Sequence, residues 1–131
     1  MSTPDDVLLD TSVVIAHFRS RQGLTAQLGG AARLCMPWVV LGELHFGAQR
    51  AQRHEEALAQ IRDFLKIAEL LLPDQETSER NGRVKAELAQ AGRPIPENDV
   101  WIAALALQYQ LPLATKDEHF AVVPHLRILH W

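Results

Sequence analysis

The stretch Val7-Leu8-Leu9-Asp10-Thr11-Ser12-Val13-Val14-Ile15 decides the fold. Val7-Leu8-Leu9 reads as a short buried strand, and Asp10-Thr11-Ser12 supplies N-cap chemistry for a helix from about Thr11 to Arg19. The same alternation recurs downstream. Gly23 and then Gly29-Gly30 bracket a second short helix, and Arg33–Met36 forms a second strand halted by Pro37. Pro37 suits a first helical position, so a helix runs on through Leu41, Leu44 and Ala48. Leu58, Ile61, Leu65 and Ala68 fall at three- and four-residue spacing and predict an amphipathic helix over Glu55–Glu69.

Leu70-Leu71-Leu72 gives a third strand before Pro73, and Thr77 to Ala91 a more polar helix ended by Gly92. Arg93-Pro94-Ile95-Pro96 is extended or turned, because residues before proline avoid the α region. Asn98 or Asp99 then caps a helix over Val100–Tyr109, and Val100–Leu107 is apolar throughout, so that helix must be nearly surrounded by protein. Leu113–Thr115 and Arg127–His130 complete a set of five strands. Strands spaced by helices mean an α/β fold with a central, mainly parallel sheet, since parallel neighbours need crossover connections.

Composition bounds the class. The chain has 131 residues, 47% hydrophobic and 22% charged, which suits one globular domain over residues 1–131. A single cysteine, Cys35, excludes an internal disulfide framework and a cysteine-based zinc site. No apolar run reaches the roughly 18 residues of a membrane span. The polar, acidic opening Met1–Asp6 is unlike a secretory leader, so the expected setting is the cytoplasm, with no membrane partner. The net charge of −3 argues against a dedicated nucleic-acid coat, yet ten of the thirteen cations are Arg, the side chain suited to phosphate.

Four acids stand out by position. Asp10 and Asp117 follow strands, where open parallel sheets place ligands. Glu43 interrupts the mostly apolar segment Trp38–Phe46, and Asp99 directly precedes the most apolar helix. Each has a plainer reading: Asp10 and Asp99 as caps, Glu43 as a solvent-facing side chain, Asp117 as a turn residue. Gathered together without a counter-ion they would repel, by about 4 kcal/mol per pair at ~4 Å and an effective dielectric near 20. Such a cluster raises its pKa values or holds a cation, and all-oxygen ligands favour Mg²⁺ or Mn²⁺ over zinc. Phosphodiester hydrolysis is the matching chemistry.

Other chemistries fit less well. His17, His45, His54, His119, His125 and His130 are scattered without a metal-binding spacing and read as surface or packing residues. No phosphate-cradling glycine loop is present. Asp10-Thr11-Ser12 is not the Asp-x-Asp-x-Thr of a phosphoaspartyl enzyme, nor the acidic pair of a receiver domain. Thr11 and Ser12 are either caps or hydrogen-bonding supports for a ligand.

Taken in order, Val7–Ile15, Leu41-Gly42-Glu43-Leu44, Asn98-Asp99-Val100-Trp101-Ile102-Ala103-Ala104 and Ala114-Thr115-Lys116-Asp117-Glu118-His119-Phe120 resemble the PIN domain. Within it they are similar to the VapC toxins of bacterial VapBC toxin–antitoxin modules. The resemblance spans Val7–Phe120. It implies an α/β/α sandwich and an endoribonuclease dependent on Mg²⁺ or Mn²⁺, with Asp10, Glu43, Asp99 and Asp117 as the acidic pocket and Asp10 and Asp99 as the surest metal ligands. Thr115 matches a Ser/Thr that supports the fourth acid, and Lys116 departs from the more frequent Arg or Asn. The resemblance further implies an RNA substrate, a homodimer, and a cognate VapB antitoxin that forms a hetero-oligomer with the toxin and alone contacts operator DNA. Helices around Trp38–Arg53 and Glu55–Glu69 are where the antitoxin groove is expected. Two alternatives stay open at this stage: a PIN-fold RNA-processing nuclease without an antitoxin, and a non-catalytic module whose acids bind a basic tail.

Overall fold

The structure is a computed structural model that describes residues 6–20, 30–31 and 33–131. The short helix expected between Gly23 and Gly29 lies outside the described residues. Five strands, β1 (Asp6–Leu9), β2 (Arg33–Pro37), β3 (Ala68–Leu71), β4 (Leu113–Thr115) and β5 (Ile128–His130), form one sheet in the order β3-β2-β1-β4-β5. Every pairing is parallel. Helices α1 (Thr11–Arg19), α2 (Trp38–Arg50), α3 (His54–Phe64), α4 (Gln75–Gln90) and α5 (Glu97–Tyr109) supply crossovers and cover, and a 3₁₀ turn spans Glu118–Val122.

β1 lies at the centre, which explains its unbroken apolar run. Leu8 pairs with Cys35 of β2 on one side and with Leu113 of β4 on the other. Val7, Leu8 and Leu9 are buried, as a strand covered on both faces requires. From β1 the chain winds outward through β2 and β3, then returns to lay β4 and β5 along the opposite side. The order therefore reverses between β1 and β4, and a crevice opens beyond the carboxyl ends of these two strands. Asp10 and Asp117 both follow strands that border it.

Helix α5 is apolar all round because it serves two cores. Ile102, Leu105 and Ala106 join the main core with β1, β2 and β4. Val100 and Ala103 join a smaller core with Val84 and Leu88 of α4 and with Val123. The helix begins earlier than the sequence suggests. Asn98 and Asp99 were expected as caps, but Pro96 takes the flanking position and its carbonyl accepts the N–H groups of Asp99 and Val100, at 3.0 and 3.1 Å. Proline's fixed φ preorganises this start, and it leaves the Asp99 side chain out of any capping bond.

Two other boundaries move for one reason. The helix predicted over Glu55–Glu69 stops at Phe64, and Leu65, Lys66 and Ile67 close a turn by bonds to Ile61, Asp63 and Phe64. Ala68 already pairs with Leu34, so the third strand is Ala68–Leu71 rather than Leu70–Leu72, and Leu72 is exposed. Pairing with β2 overrides the local helical spacing, because each ladder position satisfies backbone groups that a longer helix would withdraw. Elsewhere Asp74 and Thr77 form a reciprocal capping box that starts α4 two residues early. Gly92 ends α4 at φ 69°, with Arg93 N–H donating to Leu88 C=O at 2.8 Å, the Schellman arrangement that glycine favours. The fifth strand begins at Ile128, one residue beyond Arg127. Among the described residues no helix is long and apolar enough to cross a membrane.

Leu105 is fully buried where α5 meets the sheet. Leu105→Ala is expected to lower unfolding stability by about 3 kcal/mol, read from the midpoint of a urea titration at constant slope.

Candidate metal centre

Asp10 occupies the flanking position of α1, at φ −80° and ψ 158°, yet its side chain makes no capping bond. It turns instead toward β4. Ser12 Oγ and Thr115 Oγ1 each donate to Asp10 Oδ2 at 2.8 Å. Those hydroxyls are themselves oriented from behind: Lys116 N–H donates to Ser12 Oγ at 3.0 Å, and Asp117 N–H to Thr115 Oγ1 at 2.9 Å. Two backbone amides beyond β4 are thus relayed through two hydroxyls onto one carboxylate oxygen. Asp10 is 5% exposed and Thr115 1%, so the arrangement is buried and strongly directional.

The register of the sheet makes this possible. Leu9 pairs with Ala114, and Asp10 N–H donates to Ala114 C=O at 3.0 Å, which sets Thr115 beside Asp10. Asp99 arrives from the first turn of α5, and Glu43 from α2, where it is half-buried. Burial pushes the Asp99 carboxyl up to about 6, with further upward pressure from Asp10, Asp117 and Glu43 and a small downward pull from His119. Asp99 therefore feels all three other predicted acids. Burial also raises Glu43, followed by the charge of Asp10, while Thr11 and Asn98 favour its ionised form. The four acids expected from the sequence thus lie close enough for Asp10, Glu43 and Asp117 all to act on Asp99.

Asp117 keeps its turn role as well. Its Oδ1 accepts the His119 N–H at 2.9 Å and so starts the 3₁₀ turn. That backbone bond folds His119 back beside the carboxylate, with imidazole Nδ1 3.0 Å from Asp117 Oδ1 and 3.8 Å from Asp99 Oδ2. Donor atoms of Asp99, Asp117 and His119 lie within 4.8 Å of one another. The sequence reading grouped His119 with the surface and packing histidines, and the structure sets it against the acids. An Asp that caps its own i+2 amide brings the i+2 side chain alongside, which is the signal that spacing rules for metal-binding histidines do not capture. Asn98 was likewise read as a cap and instead faces Glu43. The other histidines behave as expected; His54 Nδ1, for example, bonds Ala48 C=O at 2.8 Å at the end of α2.

The pocket fits a hard cation. Donor oxygens of Asp99 and Asp117 lie within 4.8 Å of each other, Asp10 and Glu43 act on Asp99 from nearby, and the Asp99 carboxyl is pushed well above the usual range. Thr11 Oγ1 adds a second observation, being buried with no partner within bonding distance. It lies close enough to Glu43 to favour the ionised carboxylate, and a buried hydroxyl without a partner has bonding capacity left for a ligand of the centre.

Comparison with known proteins places the chain in context. Residues 7–126 match the family model described as PIN domain. The chain is 32% identical over 127 residues to the ribonuclease VapC2 of Haemophilus influenzae, covering 95% of this chain and 96% of that one. It is 30% identical over 132 residues to the tRNA(fMet)-specific endonuclease VapC of Salmonella typhimurium, with coverage of 95% and 96%. Among solved structures, the DNA-bound VapBC complex from Salmonella typhimurium superposes with a TM-score of 0.87 at 28% identity, covering 95% of this chain and 96% of that chain.

The raised Asp99 carboxyl has a thermodynamic signature. Its ordinary value is 3.8 and its folded value about 6, so the native state binds the proton more tightly and stability falls as pH rises across that window. In chelator-treated protein, Asp99→Asn is expected to be more stable than wild type at pH 7.5, on the order of 2 kcal/mol. That gain should shrink steadily toward pH 4. Urea titrations at both pH values check it.

Proposed function

The chain belongs to the PIN-domain family, and from that premise we propose that it is a VapC-type endoribonuclease, the toxin of a toxin–antitoxin pair. Its substrate is RNA and its cognate inhibitor a VapB antitoxin. The observation that carries the reading is the convergence of four carboxyls at the sheet's switch point, with Asp10 held by Ser12 and Thr115. Family membership extends over residues 7–126, which supports treating residues 1–131 as one ribonuclease domain.

A divalent ion would be held by Asp10, Glu43, Asp99 and Asp117, and the all-carboxylate set supports Mg²⁺ or Mn²⁺. Bound there, it would supply Lewis acidity toward a phosphate oxygen and acidify a coordinated water. The remaining work falls to the chain. Ser12 and Thr115 both bond to Asp10 Oδ2, so Oδ1 is the oxygen left to meet a ligand. Fixing one oxygen fixes the direction of the other. Glu43, whose carboxyl burial raises, accepts a proton from an attacking water more readily than an ordinary glutamate. Asp117 is pinned by the His119 amide and helps orient that water. Water then attacks phosphorus in line with the departing oxygen.

No side chain serves as nucleophile. Ser12, one of the two hydroxyls bonded to Asp10, already donates its proton there and accepts from Lys116. Attack by Ser12 would break the bond that orients Asp10.

The antitoxin has a candidate seat. A mostly apolar groove lined by Ile15, Phe18, Leu44, Ala48 and Ile61 runs between α1, α2 and α3, with Arg19, Glu43 and Gln60 as its polar lining. A helical antitoxin segment lying there would reach the acidic pocket, where a guanidinium could stand in for a cation among carboxylates. Homodimerisation, a toxin–antitoxin hetero-oligomer that meets operator DNA through the antitoxin, and a cytoplasmic setting complete the proposal.

Purified chain free of antitoxin is expected to cleave RNA in Mg²⁺ or Mn²⁺ and to stop on addition of EDTA. Asp10→Asn should lose roughly a hundredfold or more of that activity while keeping its circular dichroism spectrum. Cleavage persisting in EDTA, or undiminished in Asp10→Asn, would overturn the reading.

A further inference from the structure

We propose that His119 is a nitrogen ligand of the divalent ion, so that this centre is a mixed oxygen and nitrogen site rather than a purely carboxylate one. The inference rests on the metal-centre reading above and deepens it. Its basis is the convergence of His119 Nδ1 with Asp117 and Asp99, at 3.0 Å from Asp117 Oδ1 and 3.8 Å from Asp99 Oδ2. These contacts leave three donor atoms within 4.8 Å of one another, the spread of ligands around a shared cation.

The imidazole is held there by the backbone. Asp117 receives the His119 amide at 2.9 Å, and the 3₁₀ turn that follows is anchored by fully buried Phe120. The side chain of His119 is 59% exposed. Core packing therefore does not explain the approach of its ring to two carboxylates. The contact between Nδ1 and Asp117 Oδ2, at 3.1 Å, is the hydrogen bond that a cation shared by both groups would replace.

The chemical consequence is selectivity. Carboxylate and water suit Mg²⁺ and Mn²⁺ alike, whereas imidazole adds affinity for first-row transition ions and little for Mg²⁺. One nitrogen donor thus tilts the site toward Mn²⁺ without excluding Mg²⁺. It also makes His119 the one ligand whose replacement changes metal preference while leaving the four acids in place.

The test is Mn²⁺ binding to the full chain, followed by electron paramagnetic resonance, with His119→Ala and His119→Asp compared with wild type. Wild type should show spin-echo modulation from a directly bound nitrogen, and His119→Ala should lose it and bind Mn²⁺ about tenfold more weakly. His119→Asp puts a charged oxygen donor in its place, so it should keep Mg²⁺ binding measured by calorimetry while losing the nitrogen signal and the preference for Mn²⁺. Melting curves confirm that each variant is folded. Mn²⁺ bound by wild type without nitrogen modulation, or with equal affinity in His119→Ala, would overturn the His119 assignment and leave the carboxylate centre standing. No Mn²⁺ binding by wild type at all would overturn both.

Discussion

Everything at the carboxyl edge of the sheet depends on keeping one ionisable carboxyl, that of Asp10, buried and correctly turned. A buried carboxylate is tolerable only when hydrogen bonds replace the water it has lost. Ser12 and Thr115 do this with two short bonds to the same oxygen, and each hydroxyl is in turn steered by a backbone N–H from the segment after β4. The chain thereby ties α1, β1 and β4 together through a polar relay rather than through packing. Removing either hydroxyl would strand the backbone amide behind it and leave Asp10 Oδ2 with one donor instead of two, a heavier penalty than one lost bond. The relay also requires the parallel pairing of Leu9 with Ala114, since a one-residue slip would turn Thr115 to the opposite face.

The second constraint is the double duty of α5. Its residues fill two cores, so the helix is fixed on several sides and its first turn has little freedom. Asp99, in that first turn, is carried toward the other acids whether or not it gains from being there. Its carboxyl near 6 records the cost: desolvation and three neighbouring negative charges act on a side chain 15% exposed. A site whose residues repel one another in the metal-free chain is a sign of structure retained for binding rather than for stability.

Much of this was legible in the sequence, and the rest was hidden for identifiable reasons. The apolar run Val7–Leu9 and the apolar helix Val100–Leu107 announced a central strand and a surrounded helix, because full burial needs no periodicity and leaves an unmistakable composition. The four acids were visible as carboxyls in places where carboxyls are out of keeping. What the sequence could not carry was information that belongs to pairs of distant segments. Helical spacing through Leu65 and Ala68 was real, but β2 captured Ala68 for its ladder. The competition between Pro96, Asn98 and Asp99 for the start of α5 was settled by backbone geometry at Pro96, not by side-chain capping preference. His119 was missed because its partner is Asp99, twenty positions away, as much as its neighbour Asp117.

Charge sets the terms on which such a cluster can meet a polyanion, as the proposed function requires. With the four pocket acids set aside, thirteen cations face twelve acids, so the chain's negative excess resides in the pocket itself. An RNA phosphate approaching that pocket meets repulsion unless positive charge is brought in. A proton on Asp99 supplies some of it in the metal-free chain, but only below about pH 6. Near neutral pH the remaining choices are a divalent ion, which admits phosphate, or a partner's guanidinium, which fills the space phosphate would need. The same four carboxyls thus favour substrate in the first state and exclude it in the second. On the proposed function, one inhibitory segment seated in the groove that Glu43 helps line would control the reaction without distorting the fold.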